Sequence, residues 1–323
     1  MTLILGRSDL LGVLDTHTCL DRLWSGFTAE PGAIEGRRVR TDLPGPGTAV
    51  ALLPGLLPDV PAYTVKVNAG FPDARPAVRG VVCLHDLAGG ELLALLDSAT
   101  LTAWRTGLAA ALGTHSLARY DADVLGIVGC GAQAGMFTRG LVGLRPISEL
   151  VVTDIDRERA DAFAGRCSTE FGVPVRIADD APAVAAQADI VLTATWSRRP
   201  LLDLHDARPG AHYTALGSDE PGRAELSADL LRAARVIVDD PGLALSGGPV
   251  GGTALDRSDI DGTLRDILTG ALAARESADT VTVYAPVGLA WQDLALAWLA
   301  YRAAEEADAS RGDRVGTRFE FLE

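Results

Sequence analysis

Residues 123–136 read DVLGIVGCGAQAGM: an apolar run passes straight into Gly-Cys-Gly-Ala-Gln-Ala with almost nothing polar between. A short apolar run followed by glycines predicts a buried strand, a sharp turn and then a helix. Gly129, Gly131 and Ala134 fit Gly-x-Gly-x-x-Ala. In that spacing the first glycine permits the turn, the second lets a pyrophosphate approach the backbone, and the small third residue lets helix and strand pack closely. Ala132 and Gln133 open the helix, whose unpaired N–H groups and partial positive charge suit a phosphate. The alternative is a strand–helix turn that binds nothing, so the flanking sequence has to decide.

It continues as βα repeats. ELVVTDI, VPVRIAD and DIVLTAT read as strands, DRERADAFAGRCSTEF and APAVAAQA as helices, and HYTALGS and RVIVDD as further strands. Strands alternating with helices imply right-handed crossovers and a parallel, doubly wound sheet. Asp154 ends the second strand, 25 residues after Gly129, near the ~20 at which a carboxylate meets the ribose hydroxyls of a dinucleotide. An acid there repels a 2'-phosphate, so NAD(H) is favoured. Arg157 leaves NADP(H) open, and the plain alternative for Asp154 is a helix cap.

The chain before 119 has another texture. RSDLLGVLDTHTCLDRLWSGFTA predicts a helix capped by Ser8. Residues 36–88 are short segments separated by Gly and Pro, an antiparallel hairpin pattern with DLAGGE (86–91) as a turn. Residues 98–118 form an Ala- and Leu-rich helix, and a long helix after 286 is expected to return to this first region.

At 323 residues the chain has room for two domains. A net charge of -14 disfavours nucleic acid and anionic membrane as partners, though not a small anionic substrate. No apolar run approaches the ~18 residues of a membrane span, and the first residues lack the basic start and long apolar core of a signal peptide. Cys19, Cys83, Cys130 and Cys167 are scattered and read as free thiols in a reducing, cytoplasmic setting. The five histidines form no HxH or HxxxH pair, so no metal site is expected.

Four charged residues stand out. Lys66, in YTVKVNAG, is the one lysine beside 28 arginines. A lysine among apolar neighbours can titrate and donate a proton where an arginine cannot; codon bias that left one lysine by chance is the alternative. Arg105 sits in the apolar helix, where a guanidinium needs a partner, either a ligand carboxylate or a structural ion pair. Arg40, in RVRTD, is a third cation. Asp219, in ALGSDEPGRAEL, follows a strand at the sheet edge where ligands bind, or else simply forms a turn.

Taken in order, RVRT, VKVNAGFP, LTAWRTGLAAA, GIVGCGAQA, ADIVLTAT, ALGSDEPGRAEL and VGLAWQDLALA resemble the ornithine cyclodeaminase/mu-crystallin family over nearly the whole chain. The resemblance implies an α/β protein: a Rossmann-type doubly wound parallel sheet (119–299) inserted in a smaller α/β substrate-binding and dimerisation domain (1–118 plus 300–323), forming a homodimer. It implies that Arg40, Lys66 and Arg105 bind a substrate carboxylate, with Arg38 the substitute if the register of RRVR is off. It implies that Lys66 and Asp219 are catalytic, Asp219 handling the substrate nitrogen. It also places Thr106 and Thr195, with Gly129, Gly131, Ala132, Gln133 and Asp154, around the cofactor. Two departures bear on the chemistry. Ala51 stands about where cyclodeaminases carry a glutamate for the distal amine, and no acid lies between Asp42 and Asp59. Pro286, in YAPVG, replaces the family's usual serine. The favoured expectation is an NAD(P)H-dependent reductase of a small cyclic imino acid, or a related amino-acid dehydrogenase. An ornithine or lysine cyclodeaminase with bound NAD and a non-catalytic binding protein are the alternatives.

Overall fold

The Gly- and Pro-separated segments before residue 98 pair as strands of one sheet in the computed structural model. It describes the chain apart from residues 31–33, 45–46, 72–73, 219, 251–252, 254, 312–313 and 322–323. Two units are present, Met1–Arg105 with Leu289–Glu323, and Thr106–Gly288. Both divisions fall earlier than the sequence placed them: one inside the helix Ser98–Leu117, the other just before the helix Ala290–Arg311.

In the first unit, β1 (Thr2–Leu5), β2 (Arg37–Asp42), β3 (Thr48–Gly55), β4 (Ala62–Gly70), β5 (Val78–Asp86) and β6 (Leu92–Asp97) join the short strand Thr317–Phe319 in one sheet. β2 to β6 form an antiparallel meander, with the 86–91 turn between β5 and β6. β1, which the sequence showed only as an apolar run, lies parallel to β6. The helix expected over the first thirty residues is two, α1 (Arg7–Val13) and α2 (Thr16–Thr28). The break comes at Leu14, whose backbone is extended, and Asp15 caps α2 by accepting the Thr18 N–H at 2.8 Å. Ser8 is not the cap of α1. Gly6 takes that place, and its N–H is held by the Asp9 carboxylate at 2.8 Å. An acid in the first turn of a helix serves that end better than a hydroxyl one residue inside it.

Strand alternation sends Ala62, Thr64 and Lys66 of β4 to one buried face. Leu52, Val82 and Leu96 lie in register with Lys66 across the neighbouring strands, and all are buried. The C-terminal helix, Ala290–Arg311, packs on this side of β3, β4 and β5. Each fully buried aliphatic side chain here contributes about 2 kcal/mol.

The second unit contains α3 (Ser98–Leu117) from Thr106 onward and, among the described residues, ten strands: β7 (Val124–Val128), β8 (Glu149–Thr153), β9 (Val175–Ile177), β10 (Ile190–Thr193), β11 (Arg198–Leu202), β12 (His212–Ala215), β13 (Ala224–Leu226), β14 (Arg235–Val238), β15 (Gly262–Thr263) and β16 (Thr282–Tyr284). Eight of them form a sheet in the order β15-β14-β16-β12-β10-β7-β8-β9, every pair parallel, while β11 and β13 pair separately. β10 and β12 are buried at every residue, as strands covered on both faces must be. α4 (Ala132–Leu144) and α5 (Arg157–Phe171) are the first crossovers. Among the described residues no helix is long and apolar enough to cross a membrane.

His212, fully buried at the start of β12, bonds the Thr282 hydroxyl through Nδ1 (2.8 Å) and the Thr214 hydroxyl through Nε2 (2.9 Å). Burial, with Arg275 and Arg145 nearby, holds its pKa well below the usual value. The folded state therefore keeps His212 neutral at a pH where the unfolded chain is protonated. Stability is full above about pH 6.5 and is lost as pH falls below it, by up to about 1.4 kcal/mol per pH unit. The melting temperature should drop between pH 7 and 5, and His212→Gln should flatten that dependence. An equally steep profile in the variant would rule the account out.

Candidate functional site

The lone lysine is a core residue. Lys66 Nζ donates to both carboxylate oxygens of Asp293, at 2.9 and 3.0 Å, and both side chains are 1% exposed. Arg105 is buried beside them, its Nε 3.5 Å from Asp293 Oδ1 and its Nη1 donating to Gln292 Oε1 at 3.2 Å. Among the described residues Arg105 Nε has no hydrogen-bond acceptor. Among the described residues two cations thus share one carboxylate, leaving one positive charge in excess at a buried position. Lys66 registers the strain: its pKa is lowered to about 8, first by burial, then by Arg105, with Asp293 opposing and Arg38 adding to the fall. A buried cluster one anion short of neutrality fits a ligand carboxylate, which supplies both the missing charge and acceptors for a guanidinium fork.

Of the sequence alternatives for Arg105, the structure shows the ion pair, with Asp293. Arg38 and Arg40 lie on the face of β2 that continues this row. Arg38 is opposite Leu52, itself opposite Lys66; Arg40 is opposite Val50, one pair further along. Arg40 is partly exposed and bonds Asp42 at 2.8 Å. Ala51 is on the other face of β3, opposite Val39 and Val67. On β3 the residues on the Lys66 face are Val50 and Leu52, both apolar, and Ala51 is not among them.

Sequence reasoning gave no role to Asp293 or Gln292, although both lie in VGLAWQDLALA. The available signal was an acid and an amide within an apolar helix.

In the second unit Gly129 has φ +97, and a Cβ there would lie 2.6 Å from the Ala194 carbonyl oxygen and 2.9 Å from Thr195 Cγ2. Only glycine makes this turn. A Cβ on Gly131 would meet open space, so a ligand can approach the backbone at the start of α4. Ala134 is fully buried, as close helix–strand packing requires. Ala132, exposed, and Gln133, half-buried, open the first turn of α4. Asp154 closes the loop from the other side: its Oδ2 accepts the Cys130 N–H at 2.8 Å and its Oδ1 the Asp156 N–H at 2.9 Å. The arginine beside it is Arg159, at 3.2 Å, while Arg157 turns to Asp161. The cap of α5 is Asp156, which accepts the Arg159 N–H at 3.2 Å, so Asp154 is not that cap. Thr106 Oγ1 and Ser218 Oγ are buried without hydrogen-bond partners among the described residues, open to a ligand's polar atoms. Asp219 lies outside the described residues. At the end of the unit Asp239, half-buried, accepts the N–H groups of Val287 (3.0 and 3.1 Å) and Gly288 (2.6 Å). The backbone donors after Pro286 are thereby committed and do not replace a serine hydroxyl. Asp203, His205 and Asp206 bring ligand atoms within 4.8 Å of one another around a short turn, a grouping that a search for paired histidines does not detect.

An open glycine cradle with a carboxylate at the end of the second strand defines a dinucleotide-binding α/β unit, and the first unit buries two cations around one carboxylate. Residues 36–308 match the ornithine cyclodeaminase/mu-crystallin family, and the chain belongs to it. Its relatives include a Δ1-pyrroline-2-carboxylate reductase of Bacillus cereus, 32% identical over 88% of this chain and 89% of that one. The Thermococcus litoralis Δ1-pyrroline-2-carboxylate reductase, solved with NADH and L-proline, superposes with a TM-score of 0.90 at 27% identity, over 98% of this chain and 100% of that one. An archaeal alanine dehydrogenase dimer with bound NAD gives 0.89 at 26% identity, over 99% of each chain.

Proposed function

We propose that this protein is an NAD(H)-dependent reductase of a small cyclic imino acid of the Δ1-pyrroline-2-carboxylate type. The observation that carries the reading is the Lys66–Arg105–Asp293 cluster, buried and one negative charge short. Lys66 and Arg105 take the substrate carboxylate, with Arg40 and Arg38 at its border. The apolar Val50 and Leu52 on the same face suit a compact ring better than a chain ending in a second amine, since an unpaired ammonium buried there would cost several kcal/mol. Bound NADH would supply the hydride. Its pyrophosphate suits Gly131, Ala132 and Gln133, its ribose suits Asp154, and Thr106 and Thr195 complete the surround. Asp154 favours NAD(H) over NADP(H) by charge. The family resemblance implies that Asp219 meets the imine nitrogen, where a carboxylate would stabilise the protonated imine, the better hydride acceptor.

The test is NADH oxidation at 340 nm with Δ1-pyrroline-2-carboxylate and Δ1-piperideine-2-carboxylate, beside an ammonia assay with ornithine and lysine. Oxidation with the imines is expected. Ammonia from the diamines without net NADH change would replace this reading with a cyclodeaminase, and NADH binding without turnover would leave a binding protein.

The cage also predicts a pH dependence. A carboxylate binds the protonated lysine, whose pKa is about 8 in the free protein. The inhibition constant of a non-reducible acid such as cyclopentanecarboxylate should be flat below pH 8 and rise roughly tenfold per unit above it. A flat profile to pH 10 would exclude Lys66 as the group that binds.

The homodimer is proposed from the outer face of the first sheet. Val39, Ala51, Val67 and Val81 lie side by side across β2 to β5. Val39 and Val67 are 55% and 49% exposed, and Leu53 adds to the patch. A contiguous apolar sheet face of this kind calls for a partner, and the archaeal relative is a dimer. The free thiols of all four cysteines fit a cytoplasmic protein.

A further inference from the structure

Glu225, on β13, is fully buried, and among the described residues no cation pairs with it. Four donors converge on it instead. Oε1 accepts the Thr195 N–H at 2.6 Å and the Thr195 hydroxyl at 2.7 Å; Oε2 accepts the Thr193 hydroxyl at 2.9 Å and the Gly217 N–H at 2.7 Å. A buried carboxylate survives without a counter-charge only when donors are arranged around it in this way.

The donors belong to two different strand ends. Thr193 ends β10 and Thr195 follows it, and Gly217 follows β12, its neighbour in the sheet. Both ends are at the carboxyl edge of the parallel sheet, the side on which doubly wound folds take ligands. Gly217 cannot carry a side chain, because a Cβ there would strike the Thr195 carbonyl oxygen and Glu225 Oε1. The Ala194 carbonyl and the Thr195 side-chain methyl stand against Gly129, the first glycine of the cofactor turn. Glu225 therefore bonds two loops to each other and, through Thr195, sets the wall of the glycine turn.

We infer that Glu225 is a positioning residue for the dinucleotide: it clamps the loops after β10 and β12 so that Thr195 faces the glycine turn. This rests on the reading of the second unit as a dinucleotide-binding unit. Glu225→Gln keeps the shape of the side chain but turns one acceptor into a donor. Whichever way the amide is set, its NH2 faces a backbone N–H, that of Thr195 or that of Gly217.

The experiment is titration of the full-length protein with NADH, followed by its fluorescence, alongside thermal melting. Glu225→Gln is expected to raise the Kd for NADH at least about tenfold, the effect of leaving one buried donor unsatisfied. Thr193→Val, which removes a single hydroxyl, should raise it about twofold to fivefold and serves as the test if Glu225→Gln does not fold. His212→Gln, a buried lesion at the far end of β12, is the control. It should lower the melting temperature and leave the Kd within about twofold, since distant sites act independently. NADH binding unchanged in the folded clamp variants, or equally weakened by His212→Gln, would overturn the inference. A wild-type protein that binds no NADH would overturn the dinucleotide reading itself, before any variant is measured.

Discussion

Lys66→Ala is expected to cut kcat/KM for the cyclic imino acid by roughly 10²–10⁴-fold, the equivalent of about 3–5 kcal/mol for breaking a buried charge arrangement, while NADH affinity stays within about twofold. The reason is charge. With Lys66 present the cluster carries two cations and one anion; without it Arg105 and Asp293 cancel, and a ligand carboxylate finds no excess to neutralise. Lys66→Arg should not restore activity. The position lies between Leu52 and Val82 with 1% exposure, and a guanidinium fork is larger and cannot titrate. Asp293→Asn separates electrostatics from packing. Asp293 is what holds the Lys66 pKa up against burial and Arg105, so its loss should move the alkaline limb of carboxylate inhibition below pH 8. A merely structural role for Asp293 would lower stability and leave that limb in place. Unchanged kcat/KM in Lys66→Ala would remove the anion cage from the mechanism.

Much of this arrangement is legible in the sequence, for reasons that differ between the two units. The second unit announces itself because its signals are local: a buried parallel strand is a continuous apolar run, and the turn at Gly129 needs a residue without Cβ. Lys66 and Arg105 stand out by residue type, a single lysine and a charge in an apolar helix. Their partner does not stand out. Asp293 meets Lys66 across 227 residues of chain, and one acid in a long helix reads as a solvated position. Ala51 shows the other limit. Facing is decided by strand register, and a shift of one residue moves a side chain to the opposite face of the sheet. The family resemblance pointed to Ala51, while pairing puts Val50 and Leu52 on the Lys66 side. Glu225 was hidden for the same reason as Asp293: its meaning lies in donors from two other strand ends.

That outward face carries the second large effect. On the proposed dimer, a Val67→Asp variant is expected to elute as a monomer at concentrations where the wild-type protein elutes as a dimer. Val67 is 49% exposed in the single chain and lies between Ala51 and Val81 in an apolar row. In a twofold dimer the same patch meets itself, so one substitution enters the interface twice. A carboxyl buried there would have to stay protonated at pH 7, about three units above its ordinary pKa, which costs about 4 kcal/mol per copy. Both copies together weaken the dimer by roughly 10⁵–10⁶-fold. Lys66 sits on the other face of the same strand, one residue away, so the folded monomer should still bind cyclopentanecarboxylate. Light scattering on the eluting species, with that ligand titrated into each, decides the matter. A Val67→Asp dimer as tight as wild type would place the interface elsewhere. A monomer that has also lost the ligand would show that dimerisation braces β4 and the cage with it.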